Sequence, residues 1–357
     1  MPTVILHIGQ TKTATSSLQA FLKANRAVLA GHGILYPLPW PEHPAQGQHR
    51  FLVESLYAEP GRAEAAWHFL AGGIEAAAQP RVLISEEVFW HLFEGRPARR
   101  PETLAWIRSR LPGCDWRVVV DLRRQDHWIE SWHKQLVKTD VSALSGLALE
   151  PFVQVYDDMG MLDYGPIVGD WAAAFGTSAV CLREFGTGAE PADPVQGFMA
   201  QVLGITDLEG FAAVPAQQTS LAAASLDFAQ HYNRLPGAAR FKPAHRQMLK
   251  SADPMLLDRR RRLSAASANR LWRRCQAANQ ALATRHGLGE AGLFRDWVLQ
   301  PEPELPLQGG PPDGEHWTLL AQMFIRHEDR LARLQRRIDE LEASLTQASA
   351  ADLSSRG

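Results

Sequence analysis

Cysteine is scarce in this chain of 357 residues: Cys114, Cys181 and Cys275 are odd in number, unrelated in spacing and free of any CxxC pair. That excludes a disulfide scaffold and reads as three reduced structural thiols of a cytoplasmic protein. No apolar run approaches the roughly 20 residues that a spanning helix needs. The formal net charge of −2 excludes a global basic field, so neither nucleic acid nor an anionic membrane is expected as a partner. The 13 histidines form no HxxxH or HxH pairing, and no metal site is expected. The chain opens directly on a strand-like run, so no cleavable leader is expected. Hydrophobic residues make up 45 % of the chain, ample for one large core or two smaller ones.

What is present is concentrated near the start. The apolar run Val4–Ile8 opens into Gly9-Gln10-Thr11-Lys12-Thr13-Ala14-Thr15-Ser16-Ser17. An amphipathic helix follows, with Leu18, Phe21, Leu22 and Leu29 near one face. A helix start offers unpaired N–H groups and the positive end of the helix dipole. With Lys12 and the hydroxyls of Thr13, Thr15, Ser16 and Ser17, that makes a socket for a phosphate-like anion. It is not a Walker A motif, which needs a second glycine directly before its lysine. An ordinary strand–turn–helix with a hydroxyl-rich cap is the plain alternative.

The second segment is a buried strand, Trp116–Leu122, followed by Arg123-Arg124-Gln125-Asp126 and a helix reaching about Lys138, with Asp126 as its cap. Arg123 falls at the strand end and Ser131 eight residues later on the helix. An arginine fork and a hydroxyl converging from two elements hold a phosphate in two directions. Arg124 is the alternative ligand. Val118-Val119-Val120-Asp121 also has the look of a Walker B strand, which would hold Mg²⁺ in a phosphoryl-transfer enzyme.

The order Lys12-Thr13-Ala14-Thr15-Ser16 resembles the 5′-phosphosulfate loop of sulfotransferases that use 3′-phosphoadenosine 5′-phosphosulfate (PAPS), with Ala14 where that family carries glycine. Arg123 and Ser131 match the family's pair for the 3′-phosphate. The looser likeness from Leu162 to Gly204 is to bacterial members, and the whole covers about residues 1–300. The resemblance implies a P-loop-like α/β fold, PAPS as co-substrate with no metal, and a cofactor-binding set of Lys12, Thr13, Ala14, Thr15, Ser16, Ser17, Arg123 and Ser131. It implies transfer to a hydroxyl acceptor, with Lys12 catalytic and Glu86, at the end of the strand expected over Arg81–Glu87, as general base. Glu87 and His49 are the other base candidates, His49 being expected at the surface. Trp40, Trp67 and Trp90 would suit a sugar, so a carbohydrate or glycan precursor is expected ahead of a lipid or small metabolite, although scattered tryptophans also build cores. The basic runs Arg259–Arg262 and Arg273-Arg274 read as solvated faces, or as a segment closing over the 3′-phosphate. A kinase using ATP and Mg²⁺, and a non-catalytic nucleotide-binding scaffold, are the rival functions.

Strands alternate with helices throughout, which implies a parallel sheet covered on both faces, with Lys12, Glu86 and Arg123 all beyond the carboxyl ends of strands. A domain over 1–300 is expected, then a Pro/Gly-rich linker over 301–315. An amphipathic helix over 316–347 and a disordered tail over 348–357 complete the chain. Leu320, Phe324, Leu331, Leu334, Ile338, Leu341 and Leu345 follow 3,4 heptad spacing, with His327 at one seam position. A self-associating helix over 316–345 would make a dimer or trimer; packing within one chain is the alternative.

Overall fold

The computed structural model describes residues 2–38, 40–41, 49–140, 142–186, 193–214, 221–235, 261–288, 292–295, 297–299 and 314–355. Residues 301–313 of the linker expected over 301–315, and the arginines at 259 and 260, lie outside them; Gly314 and Glu315 open the last helix.

Five strands form the expected parallel sheet: β1 (Thr3–His7), β2 (Ile34–Leu35), β3 (Arg81–Ser85), β4 (Asp115–Arg123) and β5 (Val180–Phe185). They lie in the order β2-β3-β1-β4-β5, every pair parallel. Near-continuous apolar runs such as Val118–Val120 suit strands buried on both faces, and these three residues have no exposed surface. The helices α1 (Thr15–Ala24), α2 (Arg62–Glu75), α3 (Arg100–Ser109), α4 (Gln125–Thr139) and α5 (Tyr164–Phe175) alternate with them. The architecture is α/β, a parallel sheet flanked by helices.

Two consequences matter for the site. The chain leaves β1 in one direction and crosses back to β4 in the other, so β1 lies between β3 and β4 and the strand order reverses beside it. Such a reversal opens a crevice at the strands' carboxyl ends. The core then anchors α1, because Leu18, Phe21 and Leu22 bury against Ile5, Leu83 and Val119 of the sheet. Burial of that order is worth about 1.5–3 kcal/mol per side chain and fixes where α1 begins.

The chain groups into two units. The first contains Met1–Trp132, Val153–Thr219 and Leu263–Glu302; the second contains His133–Phe152, Ser220–Arg262 and Pro303–Gly357. In the first, α7 (Ala265–Arg285) lies on α5, and with the rest of the sheet unit it holds all five strands. The second includes α6 (Ala223–Asn233) and the long α8 (Gly314–Ser355). This last helix runs past 347 to Ser355, where a disordered tail was expected. Its Ala/Ser-rich end carries no proline or glycine to stop it.

Candidate functional site

The loop after β1 is tied to β4 by backbone bonds, Ile8 N–H to the Val119 carbonyl and Gln10 N–H to that of Asp121. Beyond them the chain turns through positive φ at Lys12 (72°) and Ala14 (58°). Two left-handed residues flanking one ordinary residue turn successive N–H groups toward one side, the geometry of an anion-binding nest. Ala14 caps α1 without a side-chain hydrogen bond, and no acid occupies the first turn. The helix start is therefore free of the carboxylate that would compete with an anion.

Side chains brace the loop from within. The Thr13 hydroxyl donates to the Gln10 carbonyl (2.6 Å) and lies 3.3 Å from Thr15 Oγ1. Thr13 and Thr15 are buried, Ser17 and Lys12 are half-buried, and Ser16 is exposed. Gly9 is demanded by space: a Cβ there would meet His7 Nε2 at 2.7 Å and Asp121 Cβ at 3.1 Å.

Beneath the loop runs a buried polar belt that crosses four strands. Ser85 Oγ lies 2.8 Å from His7 Nδ1, His7 Nε2 3.2 Å from Asp121 Oδ2, and Arg183 Nη1 donates to Asp121 Oδ1 at 2.8 Å. A carboxylate only accepts, so Nε2 carries a proton toward Asp121. Both Asp121 oxygens are thereby engaged by protein groups, unlike a Walker B aspartate waiting for Mg²⁺. Among the described residues no group of three His, Cys, Asp or Glu side chains has the arrangement of a metal site.

Arg123 is where the sequence places it, at the end of β4, and it touches the loop. Its Nη1 donates to the Lys12 carbonyl (2.9 Å), and its N–H donates to Gln10 Oε1 (2.6 Å). Tyr164 holds the Arg123 carbonyl at 2.8 Å. Ser131 is half-buried on the second turn of α4. Arg124, the alternative ligand, is committed elsewhere: it forks onto Asp126 at 2.7 and 3.0 Å and lies over Trp297. Asp126 is thus the partner of Arg124 within the first turn, and not the cap expected, because α4 starts at Gln125, two residues earlier than a cap at Asp126 requires.

On the other flank of β1 the three base candidates separate. Glu86 has no exposed surface; its Oε1 accepts from Val88 N–H at 3.2 Å and lies 3.9 Å from Arg50 Nε. Burial, and then the negative charge of Glu87, push its carboxyl up to about 8. Glu87 is half-buried and held at 2.9 Å by Gln19 Nε2 of α1. His49 is a correction: it is 1 % exposed, not on the surface. Its Nδ1 accepts from Ser85 N–H at 3.2 Å, and burial pulls it down to about 4, so it is neutral. A residue in a Pro/His-rich stretch gave no periodic signal of that burial.

The sequence reading missed one further pair. His91 Nε2 is 3.2 Å from Thr11 Oγ1, and its Nδ1 is 2.6 Å from Glu94 Oε2. Against the upward push of burial, the hydrogen bond and charge of His91 hold the Glu94 carboxyl below its ordinary value. The His91 ring lies 5.0 Å from that of Trp132, so an aromatic wall borders the loop. The i, i+3 spacing of His91 and Glu94 was the available signal. Of the tryptophans read as sugar platforms, Trp67 and Trp90 are core residues with no exposure, and Trp40 is half-buried under Arg62. Of the basic runs, Arg262 pairs with Asp227, and Arg274 with Asp157 at 3.6 Å.

No protein-family model matches the chain, and no curated protein matches it. Among solved structures it is similar to a sulfotransferase from Alicyclobacillus acidocaldarius, at 18 % identity over 70 % of this chain and 95 % of that one, with a TM-score of 0.36.

Proposed function

We propose that the chain is a PAPS-dependent sulfotransferase that moves a sulfuryl group to a hydroxyl of a carbohydrate or glycan precursor. The observation that carries this is the loop itself. Left-handed turns at Lys12 and Ala14 feed an uncapped helix start, with Arg123 of the neighbouring strand bonded to the Lys12 carbonyl. The residues fit the donor: the start of α1 offers N–H groups and the accessible hydroxyls of Ser16 and Ser17 to a 5′-phosphate, while Thr13 and Gly9 hold the loop in shape from within. Arg123 and Ser131 serve the 3′-phosphate, and Arg123 also positions Lys12 through its carbonyl.

PAPS supplies a sulfuryl group on a phosphate leaving group of low basicity. As the acceptor's oxygen bonds to sulfur, the bond from sulfur to the bridging oxygen breaks and charge gathers there. The Lys12 ammonium neutralises that charge mainly in the transition state, which is the kind of contact that raises turnover. The acceptor's proton passes to a carboxylate of the Glu86–Glu87 pair. Glu86 was the first nomination, but a base must touch its substrate, and Glu86 has no exposed surface. We assign the proton to Glu87, with the buried carboxyl of Glu86 behind it. The wall of His91 and Trp132 offers the acceptor an aromatic face.

The test is transfer of labelled sulfate from PAPS to a panel of sugars and other alcohols. Lys12→Ala is expected to lower turnover by about 10²–10³, and Glu87→Gln is expected to exceed Glu86→Gln in its effect on kcat. Full transfer by Lys12→Ala would refute the assignment.

A further inference from the structure

The second unit carries an apolar stripe that its own contacts do not use. Near its start α8 is anchored: Ala321 is fully buried with Tyr232 of α6, and Phe324 and Ile325 pack on the same cluster. Farther along, Leu331, Leu334, Ile338 and Leu341 are each between 46 % and 52 % exposed. Their spacing of three, four and three residues is the coiled-coil seam, with Leu331 and Ile338 at a and Leu334 and Leu341 at d. Four large apolar side chains in one line on a helix are a surface built to be covered.

The flanking charges say what covers it. In this register Arg330 and Arg337 occupy g, and Gln335 and Glu342 occupy e. When two copies run parallel and in register, each g residue faces the e residue five positions later in the other copy. Arg337 then meets Glu342 of the second copy, twice per dimer by symmetry, and Arg330 meets the neutral Gln335. Antiparallel copies would set g against g and e against e, placing arginines opposite arginines. Among the described residues Arg337 pairs with Glu340, at 3.1 Å and with both side chains about two-thirds exposed, a pairing that is easily exchanged. At the second of the two a positions, Ile338 with Leu341 at d favours two strands over three.

We propose that residues 331–345 of α8 form a parallel, in-register, two-stranded coiled coil with a second copy of this chain. The proposal stands apart from the catalytic reading, since no site residue lies on α8.

Light scattering and sedimentation of the full chain at tens of micromolar are expected to give twice the chain mass. Ile338→Asp is expected to give a monomer with an unchanged melting curve, because that side chain is half-exposed in the single chain. Arg337→Glu is expected to weaken the dimer by about tenfold, as two attractive pairs become repulsive, and adding Glu342→Arg is expected to restore it. Leu331→Cys is expected to form a dimer-linking disulfide under mild oxidation that the parent chain does not form, since only a parallel register brings two copies of that position together. A monomer at about 100 µM, a few times the concentration at which the dimer is expected, would overturn the proposal. So would a dimer that Ile338→Asp leaves intact, or one tightened by Arg337→Glu.

Discussion

Replacing Glu86 by glutamine tests the electrostatics of the base pair through stability alone. Glu86 has no exposed surface, and burial followed by the charge of Glu87 raises its carboxyl from 4.5 to about 8. Between those values the folded chain keeps a proton that the unfolded chain releases, so the contribution of Glu86 to stability is full below 4.5 and falls as pH rises toward 8. The gap sets a ceiling of about 5 kcal/mol for the whole range, and between pH 6 and 8.5 it predicts a loss of about 2–3 kcal/mol. His49 works in the opposite window: burial lowers it from 6.5 to about 4, so its contribution is lost as pH falls below 6.5. The two windows barely overlap above pH 6, which isolates Glu86. Glutamine keeps the volume and an oxygen for Val88 N–H. Urea unfolding midpoints at pH 6 and pH 8.5 are expected to converge in Glu86→Gln and to diverge in the parent chain. Equal slopes in both would refute the reasoning.

Two predictions concern the loop backbone. Gly9→Ala is expected to cost about 1–3 kcal/mol and to abolish anion binding, because the added methyl meets a His7 ring pinned at 2.8 and 3.2 Å by Ser85 and Asp121; thermal melts and anion titration read both. Ala14→Gly is expected to raise stability by about 0.5–1 kcal/mol, since φ of 58° strains an L-residue and suits glycine. A lower melting temperature in that variant would contradict the left-handed turn.

The first strand, its loop and α1 were legible because each carries a local signal. The signals are a buried apolar run, small hydroxyl residues around one lysine, and then a period of 3.6. The sheet's parallel nature followed from alternation; β4 gained one residue at each end of Trp116–Leu122, and β3 stopped at Ser85, two residues before the expected end. What stayed hidden depends on register. His7, Ser85, Asp121 and Arg183 are far apart in sequence, and only the pairing of four strands lines them up at one end of the sheet. The burial of His49 and Glu86 was unreadable for the same reason, since a polar residue reveals its environment only through its neighbours. The extension of α8 to Ser355 shows the opposite error: small polar residues were read as disorder although alanine is the best helix former.

The central claim is that the loop from Gly9 to Ser17, with Arg123, is a donor-nucleotide site. Calorimetric titration with 3′-phosphoadenosine 5′-phosphate in the absence of metal, against ATP with Mg²⁺, tests it most directly. Binding of the bisphosphate is expected, weakened strongly by Arg123→Ala and by Lys12→Ala, with ATP and Mg²⁺ the poorer ligand. Preference for ATP with Mg²⁺, or no binding of either nucleotide, would contradict it.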